Sequence, residues 1–116
     1  MQLDISNLGK NLVRISLAGR LDTQGVDRIE TKFVAAIVPE SNNAIINLSG
    51  VDFMASMGIR MLLSTARSLK IRQAKLALYG VTPQVGQVFE AVSLQKIIPI
   101  CETEAEALAA VATPSA

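Results

Sequence analysis

The sequence predicts an α/β fold: a small sandwich with a mixed, mostly parallel sheet of four to five strands and about four helices. Short β-rich runs alternate with longer runs at helical spacing, and only the first two strand-like runs follow each other with no helix between them. At 116 residues the chain can bury one sizeable core and is short for two. Residues 1–116 are therefore expected to form one domain, with a disordered tail over about 112–116, where the chain ends ATPSA.

The first two runs, LDISNLG and NLVRISLAG, flank a turn signal near Gly9, and Val13, Ile15 and Leu17 alternate with Leu12, Arg14 and Ser16. This is the pattern of an antiparallel pair. After GRLDTQG, Val26, Ile29, Phe33, Ala36 and Ile37 recur at helical spacing against Asp27, Arg28, Glu30 and Lys32, and Pro39 ends the helix. AIINLSG, 44–50, is apolar on successive positions, as a central strand covered on both faces should be.

A second helix is predicted from Met57 to about Ile71, with Ile59, Leu62, Leu63, Ala66 and Leu69 inward and Arg60, Ser64, Arg67 and Ser68 outward. KLALYG supplies the next strand. Thr82-Pro83 opens a third helix, since a hydroxyl can cap and proline suits the first helical position; Val85, Val88, Phe89 and Val92 form its stripe. A short strand, KIIPI, precedes Thr103-Glu104-Ala105-Glu106, a capping-box spacing that starts the last helix. The βαβ order makes the crossovers right-handed and most of the sheet parallel.

Composition excludes several kinds of function. Eleven basic and ten acidic residues leave a net charge of +1, which implies no bulk attraction to nucleic acid. Histidine is absent, so there is no Ser/His or Cys/His catalytic arrangement, and neither metal nor cofactor is expected. The lone Cys101, in IIPICE, reads as a packed thiol. No targeting leader and no apolar run near the length of a membrane span is visible, which points to a cytoplasmic protein without membrane insertion.

The stretch VDFMASMGIRMLL, 51–63, places Ser56 where a strand hands over to a helix. There its hydroxyl could cap the helix by accepting from the N–H of Gly58 or Ile59. The same place stabilises a negative group, because free amides and the helix dipole point at it. Gly58 would let another molecule approach Ser56, or would serve close packing on the sheet. Met54 reads as core, whereas Met57, expected to be exposed, would give an adaptable docking surface. Arg60, one turn on, could pair with a phosphate or with a partner's carboxylate, or stand solvated.

GRLDT at 19–23, INLSGVDFMASMGIRMLL at 46–63, KLALYGVTPQVGQVFEAVSL at 75–94 and the closing acidic-alanine helix together resemble a STAS domain. More narrowly, the chain resembles the free-standing bacterial anti-sigma factor antagonists. The resemblance implies that Ser56 is phosphorylated by an anti-sigma factor that is also a serine kinase, and that the unphosphorylated form binds this factor and frees a sigma factor. It places Asp22 and Thr23 beside Ser56 on a partner-facing surface that also takes in Met54, Ala55, Met57, Gly58 and Arg60. It further implies a serine phosphatase as a second partner, a monomer when alone, and a substrate and ligand rather than an enzyme. Two positions depart from the family pattern: Ala55 stands where an aspartate is common, and Met57 where serine or threonine is common.

Two other functions fit parts of the pattern. One is a STAS scaffold or subunit of a signalling or lipid-transport assembly, binding partners whatever the state of Ser56. The other is a nucleotide or small-molecule sensor that uses the same helix start, although neither G-x-x-x-x-G-K-[ST] nor G-x-G-x-x-G after a strand occurs.

Overall fold

In a computed structural model, which describes residues 1–112, the chain forms a five-stranded sheet with helices on both faces. The elements are β1 (Gln2–Gly9), β2 (Leu12–Leu21), α1 (Thr23–Ile37), β3 (Asn43–Met54), α2 (Ser56–Ile71), β4 (Leu76–Tyr79), α3 (Pro83–Ala91), β5 (Ile100–Cys101) and α4 (Glu104–Ala112), with a 3₁₀ turn at Leu94–Lys96. The expected tail falls outside the described residues, except for Ala112, which closes α4.

The strands lie in chain order, β1 antiparallel to β2 and the rest parallel. Each parallel step therefore moves the same way across the sheet, and right-handed crossovers place α1, α2 and α3 on one face. That face holds the main core: Val13, Ile15 and Leu17 of β2 and Ala44, Ile46 and Leu48 of β3 meet Val26, Ile29 and Phe33 of α1, Met61, Leu62 and Leu69 of α2, and Val85 and Phe89 of α3. After β5 the chain returns across the opposite face, where Ala107 and Val111 of α4 cover Ile45, Ala77 and Tyr79. β3, buried on both faces, is the central strand, as its unbroken apolar run requires.

Several local expectations need correction. β3 runs on to Met54 rather than ending at Gly50, because it pairs with β2 as far as Leu21. In α2 the deepest positions are Met61, Leu62, Thr65 and Leu69, while Ile59, Leu63 and Ala66 are half-buried. Thr65 is accommodated because its hydroxyl donates to the Met61 carbonyl at 2.8 Å.

The Thr82 hydroxyl does not cap α3; it donates to the Val51 carbonyl at 3.0 Å and ties the loop to β3. Val92 lies beyond α3 and is 50% exposed. KIIPI is mostly not a strand: only Ile100 of it pairs, together with Cys101, after the 3₁₀ turn. The capping box at α4 is formed in both directions, Glu106 N–H to Thr103 Oγ1 at 3.1 Å and Thr103 N–H to Glu106 Oε1 at 3.2 Å.

Candidate functional site

β2 and β3 end side by side, with Leu21 paired to Met54, and each hands over at once to a helix. The N-termini of α1 and α2 are thereby brought to the same edge of the sheet, the carboxyl edge where open parallel sheets place their ligands. Asp22 caps α1: its Oδ1 accepts the Gly25 N–H at 2.8 Å. That bond, helped by Arg20, holds the Asp22 carboxyl below its ordinary pKa. The Ala55 N–H donates to the Leu21 carbonyl at 3.0 Å, which fixes where α2 begins.

Ser56 is exposed in the first turn of α2, but it is not the cap. Ala55 occupies that position, and the N–H groups of Gly58 and Ile59 go to the Ala55 carbonyl at 3.0 and 3.2 Å instead of to a serine hydroxyl. Alanine has no oxygen to offer, so no side chain caps α2. The hydroxyl stands at a helix start whose dipole is met by no acidic residue in the first turn.

The other expected residues divide into two layers. Thr23 and Arg60 are exposed, and Asp22, Ala55 and Met57 half-buried, so these five and Ser56 share the outer layer. Met57 is less open than expected because it packs against the main core. Met54 and Gly58 belong beneath. Met54 is 4% exposed, and a Cβ at Gly58 would lie 2.5 Å from Met54 Sδ and 3.2 Å from Leu21 Cβ, so this glycine permits close packing inside the fold rather than approach from outside.

Two residues of the same rim escaped the sequence reading. The Arg20 guanidinium lies 4.1 Å from the ring centroid of Phe53, which is 38% exposed, and Arg20 Nε is 3.6 Å from Asp22 Oδ2. The pairing follows from the register, which sets Arg20 opposite Phe53 after a bulge. The hint available in sequence was that both residues immediately precede the two strand-ending apolar residues.

Among the described residues no group of three or more histidine, cysteine or acidic side chains could hold a metal ion, and no helix is long and apolar enough to cross a membrane. What the rim can do chemically is present an accessible hydroxyl at an amide-rich helix start, beside a capped carboxylate and an aromatic side chain covered by a cation.

The chain is similar to known proteins in sequence and in fold. The STAS domain model matches residues 7–107, and the chain belongs to the STAS domain family. It is 32% identical over 91 residues to the anti-sigma F factor antagonist of Lysinibacillus sphaericus, covering 78% of each chain. With the anti-sigma-B factor antagonist of Listeria monocytogenes it shares 26% over 106 residues, 91% of this chain and 93% of the other. Its fold superposes on the anti-sigma factor antagonist SpoIIAA in its unphosphorylated form with a TM-score of 0.79 and 28% identity, over 96% of both chains. The phosphorylated form of the Bacillus cell fate determinant SpoIIAA superposes with a TM-score of 0.67 and 26% identity, over 95% of this chain and 99% of that one.

Proposed function

We propose that this protein is a cytoplasmic anti-sigma factor antagonist switched by phosphorylation of Ser56, a binding partner and substrate rather than an enzyme. Its unphosphorylated rim, formed by Asp22, Thr23, Ala55, Ser56, Met57 and Arg60 over Met54 and Gly58, docks an anti-sigma factor that is also a serine kinase. The kinase transfers the γ-phosphoryl group of ATP to Ser56 Oγ: the O–P bond to ADP breaks, the new Oγ–P bond forms, and the hydroxyl proton is released. A serine phosphatase hydrolyses the ester and resets the protein.

The observation that carries this reading is the exposure of Ser56 at the uncapped start of α2. There a phosphate adds about −1.5 to −2 charge, which the helix dipole tolerates in the free protein but which a packed interface does not. The relatives named as anti-sigma factor antagonists, and the solved phosphorylated and unphosphorylated forms of SpoIIAA, support it.

The test is to incubate the chain with its cognate kinase and ATP and to weigh it. One added phosphate, absent in Ser56→Ala, is expected, together with at least about tenfold weaker binding of Ser56→Asp to the kinase. No phosphate and unchanged affinity would overturn the switch and leave a STAS scaffold that binds regardless of Ser56.

A further inference from the structure

At the end of the molecule away from Ser56, a groove of about 530 Å³ opens between the second half of α2, the start of β4, the 3₁₀ turn and α4. Arg67, Lys70, Lys75 and Lys96 line it, no acidic residue among the described residues does, and its floor is apolar, formed by the buried Ala74 and Leu76. These cations come from three separate stretches of chain. Lys70, in the last turn of α2, is accounted for by the helix dipole alone, but Lys75 and Lys96 are not on that helix. Arg72 does not contribute, because its guanidinium reaches the Pro39 carbonyl and Ser41 Oγ at 3.4 and 3.5 Å.

The charge is segregated as well as gathered. From residue 53 to residue 89 the chain has no Asp or Glu, so α2 and β4 themselves supply no acid to this side of the groove. Ile97 adds an apolar edge that is 56% exposed. A concave site excludes a flat bilayer surface or a nucleic-acid duplex as the best fit, and a site of this volume suits a short inserted segment. An apolar floor under a basic rim is complementary to a peptide that offers apolar side chains between carboxylates.

We infer that this groove is a second docking site, which takes an acidic, apolar-interspersed peptide segment of a protein partner. Lys70 lies about 21 Å along α2 from Ser56, more than two Debye lengths at physiological salt. A charge placed on Ser56 does not reach it. The protein can therefore hold one partner at the groove while the rim at Ser56 is occupied or phosphorylated.

The test uses the full chain and a short fluorescein-labelled peptide in which pairs of glutamates separate single leucines, read by fluorescence anisotropy. Binding is expected to weaken as salt rises, to fall at least about tenfold in Lys70→Glu/Lys96→Glu, and to be unchanged in Ser56→Asp. The neutral pair Lys70→Gln/Lys96→Gln, which puts no negative charge at the C-terminal end of α2, is expected to lose affinity by a smaller factor while melting only slightly below wild type, by the lost dipole interaction of Lys70. Equal binding of a Gln-for-Glu peptide, no loss in either double variant, or binding only to phosphatidylserine vesicles or duplex DNA would overturn the assignment.

Discussion

Ala55 donates its backbone N–H to the carbonyl of Leu21 at 3.0 Å, so the start of α2 is bonded directly to the last residue of β2. Gly58 sits over the same residue, where an added Cβ would press on Met54 Sδ and on Leu21. Gly58→Ala gains about 1 kcal/mol of helix propensity but incurs overpacking of about 1–3 kcal/mol. A net loss of about 1 kcal/mol in urea unfolding is expected, larger for Gly58→Val. A more stable Gly58→Ala would show that Met54 moves aside freely.

At the neighbouring helix start, the Gly25 N–H bond lowers the Asp22 pKa below its ordinary 3.8. A carboxyl lowered by folding stabilises the protein above its unfolded pKa and loses that contribution as pH falls through the folded value. Asp22→Asn keeps an oxygen for Gly25 but has no proton to gain, so its acid unfolding is expected to be shallower than wild type below about pH 4. Asp22→Ala loses the cap at every pH and should melt at a lower temperature.

Much of the fold was legible in the sequence, because periodicity and turn chemistry are local. The alternation of Val13, Ile15 and Leu17, the helical spacing of Val26, Ile29 and Phe33, and the Thr103/Glu106 capping box all survive into the fold. What local patterns did not hold is set by pairing across the sheet. Whether Ser56 or Ala55 caps α2 depends on the bond from Ala55 to Leu21, and the Arg20–Phe53 contact depends on a bulge between β2 and β3.

On the α4 face, Glu104 Oε1 accepts the Tyr79 hydroxyl at 2.7 Å and pairs with Arg14 Nη1 at 3.0 Å, bridging α4 to β4 and β2. Burial first, then the bond to Glu104, pushes the Tyr79 pKa from its ordinary 10.0 to about 12. Glu104 is lowered from 4.5, by the Tyr79 hydroxyl first and Arg14 next. A raised phenol loses its contribution as pH climbs from 10.0 to about 12, and a lowered carboxyl loses its own as pH falls below 4.5. Tyr79→Phe is expected to lose about 1 kcal/mol at neutral pH and to show a flatter alkaline limb in urea midpoints measured against pH. A steep alkaline limb retained in Tyr79→Phe would assign that titration to another group.

Ser56 separates the stability of the fold from the affinity of the rim. Its side chain is exposed at the start of α2, where the first turn carries no acid. Ser56→Asp is therefore expected to raise stability by about 0.3–1 kcal/mol through the helix dipole, and Ser56→Lys to lower it by a similar amount. In the proposed interface the two variants should behave differently from this. If charge opposes docking, Asp weakens the kinase complex far more than Lys does; if bulk opposes it, the longer Lys weakens it at least as much. Melting temperatures and dissociation constants of the same two proteins decide between the mechanisms. Ser56→Asp should be the more stable and the weaker binder of the pair, a combination that damage to the fold cannot produce.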